Sequence, residues 1–170
     1  MTTQELQAAF VAELDRHRGI LLKVARAYCR DSATREDLAQ EIVAQLWRAY
    51  PRFDASRSFS TWMYRIVVNV AISFHRTQMR ATRNVVATEG ALFDRLPAQY
   101  EDGYDDRLEL VYALVGELDG LNRALMMLYL DDYPYAEIAA ILGISESNVA
   151  TKIGRIKERL RRATAGIGLR

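Results

Sequence analysis

The spacing of apolar residues is the feature that most restricts how this chain can fold. In both halves, apolar side chains recur three, four or seven residues apart, which is the repeat of an amphipathic helix. Even the valine-rich run from Trp62 to Phe74 lacks the strict alternation of a half-buried strand. Nine glycines and three prolines are few for an all-β protein. The sequence therefore predicts an all-α fold.

The N-terminal part carries three of these apolar stripes. The first runs from Ala8 to Tyr28 and is broken near Gly19, and the second runs from Leu38 to Tyr50 and ends at Pro51. Ser60 is the expected cap of the third, whose apolar residues are Trp62, Met63, Ile66, Val67, Val70 and Phe74. We therefore expect a small bundle of helices before residue 77.

The pattern is lost over residues 77–106, and residues 84–106 carry one base against six acids. We expect an acidic linker at 84–106, with at most one short helix around Leu92, between domains at 1–83 and 107–170. The second domain has further predicted helices over Leu108–Leu118, from Leu121 onward, over Tyr135–Leu142 and over Glu146–Arg162.

The segment from Pro134 to Leu160 has the layout of a helix-turn-helix. Gly143 would supply the left-handed corner, and Ser145 would cap the second helix. The outer face of that helix carries side chains suited to base edges and phosphates, namely Ser147, Asn148, Thr151, Lys152 and Arg155. From Ser147 to the last residue there are seven bases and one acid, a clustering typical of nucleic-acid binding. The alternative is an ordinary solvated amphipathic helix.

A second block without acids lies between Asp54 and Glu89. It contains five arginines, interleaved with aromatic residues such as Trp62 and Phe74. This composition suits single-stranded or opened DNA, whose phosphates meet arginine and whose unstacked bases meet aromatic pockets. The alternative for Trp62 and Phe74, which lie on the apolar stripe, is that they belong to the core and the arginines are merely solvated.

An acidic and polar face precedes this block, formed by Glu36, Asp37, Gln40 and Glu41. Docking of a basic partner and plain solvation both fit this face, whereas catalysis does not, because its segment offers no histidine or nucleophile. The lone Cys29 and two histidines cannot form a zinc cage, so we expect no metal and no cofactor. No signal sequence or membrane-spanning run is present, and a cytoplasmic protein without membrane insertion is expected.

Two blocks of the sequence carry a specific combination of motifs. The first contains Asp37-Leu-Ala-Gln-Glu41, Trp47, Phe59-Ser-Thr-Trp-Met-Tyr-Arg-Ile66 and Asn69. The second contains Tyr135-Ala-Glu-Ile-Ala139, Leu142-Gly-Ile-Ser145 and Val149. In the same order, they resemble regions 2 and 4 of bacterial RNA polymerase sigma factors of the short extracytoplasmic-function group. The resemblance covers about residues 20–77 and 108–162, and the pair of blocks is more specific than a helix-turn-helix alone.

The resemblance implies a region 2 helical bundle and a region 4 helix-turn-helix, joined by a flexible linker. It implies a non-enzymatic protein that binds core RNA polymerase and directs promoter-specific transcription initiation. Region 2 would dock on the clamp coiled coil of the β′ subunit through Asp37, Gln40 and Glu41. It would also assist promoter opening and hold the opened −10 element, with candidate contacts at Arg57, Ser58, Trp62, Arg65, Asn69 and Arg76.

Region 4 would sit on the β flap and place the helix that begins after Ser145 in the major groove of the −35 element. The five candidates there are Ser147, Asn148, Thr151, Lys152 and Arg155. The sequence departs from the common region 4 pattern at Ala150, Lys152 and Gly154, which leaves the individual base contacts open. Gly154 is unfavourable inside a helix, and we expect it to permit close approach of another helix or of the DNA backbone.

Some partners and roles stay open at this point. An anti-sigma factor is a common partner in the family, although no residue here identifies one. The acidic linker is either a soluble spacer or a segment that enters the RNA exit path of the polymerase. The alternative to the whole interpretation is a stand-alone helix-turn-helix transcriptional regulator, which would bind duplex DNA without polymerase.

Overall fold

The computed structural model describes residues 1–83 and 113–165, which form two compact units. All regular structure in these two ranges is helical, so the all-α prediction is confirmed. The first unit contains α1 (Thr3–Arg16), α2 (Arg18–Tyr28), α3 (Ser32–Ala49), a 3₁₀ turn (Tyr50–Arg52) and α4 (Phe59–Arg83). The second contains helical residues 113–116, α5 (Gly120–Leu130), α6 (Tyr135–Leu142) and α7 (Glu146–Ala165). The predicted linker at 84–106, with its short helix around Leu92, lies outside the described residues.

The core of the first unit forms where α2, α3 and α4 pack against one another. Its fully buried side chains include Val24, Leu38, Ile42, Leu46 and Met63. Beyond Phe59 in its first turn, the buried face of α4 consists of Met63, Tyr64, Val67, Val68 and Ala71. This face is rotated from the predicted stripe because α4 packs on two helices at once, and Trp62 and Phe74 are only half-buried at its margin.

Three helix boundaries of this unit differ from the prediction. The first break is at His17 rather than Gly19, since the His17 N–H closes the end of α1 on the carbonyls of Glu13 and Leu14. The cap of α4 is Ser58 rather than Ser60, because its Oγ accepts from the backbone N–H of Thr61 at 3.4 Å. The third difference is the length of α4, which continues past residue 77 to Arg83, since no glycine or proline interrupts it.

The second unit is built as the helix-turn-helix prediction requires. Helices α5, α6 and α7 pack on one another around Leu125, Leu128, Ile138, Val149 and Ile153. Gly143 ends α6 with a φ of +70°, and Ser145 Oγ accepts from the backbone N–H of Asn148 at 3.1 Å. The predicted corner and cap are therefore confirmed.

A buried arginine, Arg123, holds the start of the second unit in place. Arg123 is only 5% exposed, and its guanidinium donates to the carbonyl oxygens of Gly116 and Leu118, the latter at 3.0 Å. Gly116 is the last of the helical residues 113–116 and Leu118 follows two residues later, so Arg123 holds the end of that helix against α5. None of the helices within 1–83 and 113–165 has the length and hydropathy that a membrane span needs.

Candidate nucleic-acid interface

The outward face of α7 brings all five of its candidate residues to one side. Val149, Ile153 and Ile156 are buried and fix the orientation of the helix. Because successive residues of a helix are turned by about 100°, the opposite side presents Ser147, Asn148, Thr151, Lys152 and Arg155, which are exposed except for the half-buried Lys152. The Thr151 hydroxyl donates to the carbonyl of Ser147 at 3.0 Å, which fixes its rotamer.

The basic residues farther along α7 are not all available to a nucleic acid. Lys157 Nζ lies 4.2 Å from the centre of the Tyr129 ring, and its hydrogen bond with Tyr129 raises the pKa of Lys157. Glu158 pairs with Arg161 and Arg162, each at 3.3 Å. Lys157 therefore attaches α7 to α5, whereas Arg155 and Arg159 are exposed.

Gly154 is exposed on this outward face, about two helical turns after Ser147. A Cβ atom added to Gly154 would have no heavy atom within 4 Å among the described residues. The expectation that this glycine makes room for another helix is therefore not supported within the described part of the chain. Close approach of a DNA backbone remains as a reason for its presence.

A second row of polar and basic side chains runs along α4. Trp62, Arg65, Asn69 and Arg76 lie within a narrow arc of the helix, and all but the half-buried Trp62 are exposed. Ser73 and Arg80 continue this α4 row and are also exposed. The row spans about 27 Å. Because the sequence prediction ends this helix near residue 77, it misses the later part of the row. The signal for a longer helix is that neither glycine nor proline occurs between residue 77 and Gly90.

The loop before α4 presents Arg57 and Ser58 beside the start of this row. It rests on a cluster of aromatic rings in which Phe53 packs against Trp62, with ring centres 4.9 Å apart, and against Phe59 at 5.4 Å. Tyr50 contacts the same rings, and His17 packs on Phe59 at 5.0 Å. The structure thus brings the loop, Trp62 and the first turn of α4 together as one surface.

The acidic candidates form a face on α3. Asp37, Gln40 and Glu41 are exposed, on the side opposite to the fully buried Leu38, Ile42 and Leu46. Glu41 and Gln45 also line a shallow groove with Asn69 and other residues of α4. The acidic face therefore adjoins the α4 row at the groove between the two helices.

Other chemistry is sparse in the two described ranges. Cys29 is buried at the end of α2. Among residues 1–83 and 113–165, no three histidine, cysteine or carboxylate side chains are grouped as metal ligands would be. The arrangement of exposed groups is suited to binding polyanions and bases on two faces and a basic surface on a third.

Comparisons with known proteins agree with this arrangement. The family Sigma-70 region 2 matches residues 14–81, and the family Sigma-70, region 4, matches residues 108–160. The ECF RNA polymerase sigma-E factor of Escherichia coli K12 is 30% identical over 132 residues, which are 72% of this chain and 69% of that protein. The ECF RNA polymerase sigma factor SigW of Bacillus subtilis is 28% identical over 167 residues, covering 92% of this chain and 89% of SigW.

A solved structure has a similar fold. It is that of the sigma factor RpoE of Bartonella quintana in complex with the anti-sigma factor NepR, with a TM-score of 0.72 and 21% identity. The match covers 91% of this chain and 95% of the other.

Proposed function

Because this chain belongs to the extracytoplasmic-function sigma factors, which direct transcription by bacterial RNA polymerase, we propose that its two units read the two elements of a promoter. The observation that carries the proposal is the presence of two exposed rows of base- and phosphate-binding side chains, one in each unit. One row lies on α4 beside an aromatic loop, and the other lies on the outward face of α7. The aromatic loop beside the α4 row suits unstacked bases of opened DNA, whereas the outward face of α7 suits the major groove of duplex DNA.

The first unit would take the opened −10 element. Arg57, Arg65 and Arg76 would pair with phosphates, while Ser58, Trp62 and Asn69 would contact an unstacked base of the nontemplate strand. Arg80, at the far end of the same row, would add a phosphate contact. Flipping a base costs a few kcal/mol, and only a base that fits the surface returns that energy, so binding of a matching strand would favour promoter opening.

The second unit would place α7 in the major groove of the −35 element. Asn148, Ser147 and Thr151 would face base edges, and Lys152 would lie at the margin of the groove. Arg155 would bind phosphate, together with the N-terminus of the helix. Gly154 would allow the DNA backbone to approach α7 more closely than a side chain permits.

The third surface would dock the chain on core polymerase. Asp37, Gln40 and Glu41 on α3 offer negative charge and hydrogen-bond acceptors to a basic partner, which we assign to the clamp coiled coil of the β′ subunit. The second unit would also contact the β flap. Covering Glu41 with a basic partner would neutralise a carboxylate at the groove that leads to Asn69, so docking would also favour DNA binding.

Other features of the proposal follow from the family. Residues 84–106 would be a tether between domains at 1–83 and 107–170, either as a soluble spacer or as a segment whose four carboxylates, Glu101, Asp102, Asp105 and Asp106, occupy the RNA exit path. The protein would act in the cytoplasm and contribute recognition rather than catalysis. An anti-sigma factor, such as the one bound to the Bartonella protein, would be a regulatory partner.

Removal of the charge of Glu41 tests the docking surface. We expect Glu41→Gln to weaken binding to bacterial core polymerase about tenfold, because a charge pair inside an interface is lost. Asp15→Asn removes one charge from an exposed position on α1 and is the matched control. Competition for core polymerase against a labelled wild-type chain measures both variants, and equal affinities of the two would refute this docking face.

A further inference from the structure

The loop between the 3₁₀ turn and α4 is closed by one carboxylate. Asp54 Oδ1 accepts from the backbone N–H of Ser56 at 2.9 Å and from the Ser56 hydroxyl at 2.7 Å. The Arg57 N–H donates to the carbonyl of Asp54 at 3.0 Å, and Arg57 Nε lies 3.8 Å from Asp54 Oδ2. Asp54 thus contacts the loop at the two residues, Ser56 and Arg57, that lead to Ser58.

Both ends of this loop are held by packed rings. On one side Phe53 lies against Tyr50 and Trp62, and on the other Phe59 is 8% exposed and packs against Phe53. Ser58 Oγ and Ser60 Oγ lie 2.9 Å apart, within hydrogen-bond distance. Residues 54–58 therefore form a short arch between two fixed points, and the hydrogen bonds of Asp54 determine its conformation.

The position of this carboxylate is unfavourable for binding a polyanion. No acid follows Asp54 until Glu89, and the side chains presented next to it on the loop and on α4 are basic or neutral. An exposed carboxylate here repels DNA phosphates, so its direct contribution to DNA affinity is negative. A favourable contribution has to come from what it does to the loop.

We propose that Asp54 is a positioning residue that preorders the loop carrying Arg57 and Ser58 for recognition of one base of the opened strand. The inference rests on the proposed function of the first unit in holding the −10 element. An arch that already has its bound conformation loses less conformational freedom when DNA binds. The binding energy of its contacts with a base is then not consumed by ordering the loop and can discriminate between bases. Asp54 would act through Ser56 and Arg57 and would not touch the base.

The hydrogen bonds of this turn also affect the charge of Asp54. The side-chain and backbone hydrogen bonds from Ser56 lower the pKa of Asp54 below its ordinary value. The lowered pKa favours the charged carboxylate, which accepts both hydrogen bonds from Ser56. Because Asp54 is exposed, we expect the fold of the unit to survive its removal.

The test uses the full-length chain bound to bacterial core polymerase and a pool of fluorescent single-stranded oligonucleotides with a randomised central segment. Selection with the wild-type holoenzyme gives the best-bound sequence, and the ratio of affinities for that sequence and its single-base variants measures discrimination. We expect Asp54→Ala to lower this ratio about fivefold, as expected for the loss of ordinary hydrogen bonds. Asp54→Asn retains an acceptor oxygen and is expected to keep the ratio within about twofold while raising affinity for all sequences.

Ser56 supplies an independent pair of variants. Ser56→Ala removes the hydroxyl, one of the two donors to Asp54, and is expected to lower discrimination by less than Asp54→Ala does. Ser56→Thr keeps a hydroxyl and is expected to retain the discrimination of the wild type. Asp15→Ala removes an equal charge from α1 and serves as the control for net charge. Thermal unfolding of each chain verifies that the folds are equivalent.

The possible results distinguish the positioning role of Asp54 from the proposed binding of the −10 element by the first unit. An Asp54→Ala holoenzyme that discriminates as well as the wild type would overturn the positioning role and leave the proposed function standing. A wild-type holoenzyme that selects no sequence from the pool would overturn the −10 assignment itself and, with it, this inference. Loss of discrimination with unchanged unfolding temperature supports both.

Discussion

Two glycines of the second unit have opposite roles. Gly143 has a φ of +70°, where a side chain would strain the backbone, and it makes the corner of the helix-turn-helix possible. Gly154 lies inside α7, where a Cβ would meet nothing within 4 Å among the described residues. A helical glycine that no neighbouring side chain requires costs stability, so its presence points to a role on the exposed face.

Replacement of each glycine by alanine separates these roles. We expect Gly154→Ala to raise the free energy of unfolding of the free chain by about 1 kcal/mol, because alanine is the better helix former. The same change should weaken transcription from promoters that depend on the −35 element, since the methyl group keeps the backbone of the DNA at a distance.

Gly143→Ala is the matched control, with an expected loss of stability of about 1 kcal/mol because of its positive φ. Urea unfolding measures stability, and run-off transcription measures promoter use. A Gly154→Ala chain that is more stable and equally active would show that no close approach to DNA occurs at this position.

The helix that carries the acidic face is capped by the residue that precedes it. Asp31 caps α3 by accepting from the N–H and the hydroxyl of Thr34, at 2.8 and 2.7 Å. The side-chain hydrogen bond from Thr34, followed by the backbone one, lowers the pKa of Asp31. Since the pKa is lower in the folded state, this cap stabilises the fold above the unfolded-state pKa, and the contribution is lost as the pH falls through the folded pKa.

A pH series measures this contribution of the cap. We expect the unfolding temperature of the wild-type chain to fall between pH 7 and pH 3 by more than that of Asp31→Asn. Asparagine keeps an acceptor for the cap and has no charge to lose. Glu5, which accepts from the Thr2 N–H at 2.7 Å at the start of α1 and has a lowered pKa, acts in the same direction in both chains. Identical shifts in the two chains would show that the charge of Asp31 contributes nothing to the cap.

The helices themselves could be predicted because their signals are local. Apolar residues at three- and four-residue spacings, Pro51, Gly143 and the cap at Ser145 each act within a turn or two of the chain. The same holds for the exposed residues of α7, whose orientation follows from the buried Val149, Ile153 and Ile156. The outward face of that helix could therefore be predicted without knowledge of the tertiary structure.

Features that depend on distant contacts could not be predicted in this way. The orientation of α4 follows from its packing on both α2 and α3, and that packing leaves Trp62 half-buried beside the loop. The contact of Lys157 with Tyr129 and the two carbonyls held by Arg123 join residues on separate helices or turns. The hydrogen bonds of Asp54 are local, but their importance appears only when the aromatic anchors on both sides are known.

At the scale of the whole molecule, charge is distributed by segment. The net charge of +1 hides thirteen bases against eight acids in residues 1–83, and one base against six acids in residues 84–106. Residues 107–170 carry nine bases and eight acids, with the bases concentrated after Ser147. Near-neutrality is thus a cancellation between basic faces suited to DNA and acidic segments suited to basic surfaces of a partner.

This distribution also explains why polymerase would be needed for DNA binding. The acidic face of α3 adjoins the α4 row at the groove between Glu41 and Asn69, so the free chain presents carboxylates close to the row that we propose binds DNA. A basic partner that covers them removes this repulsion. A stand-alone regulator would have no use for such an arrangement.

Run-off transcription on a pool of genomic promoter fragments, with bacterial core polymerase and this chain together and separately, tests whether the chain directs promoter-specific initiation. The proposed function predicts discrete run-off products from a subset of fragments only when both are present, and weak, unspecific binding of duplex DNA by the chain alone. Failure to form a holoenzyme would contradict it, as would tight, sequence-specific binding of duplex fragments by the free chain without any polymerase-dependent product.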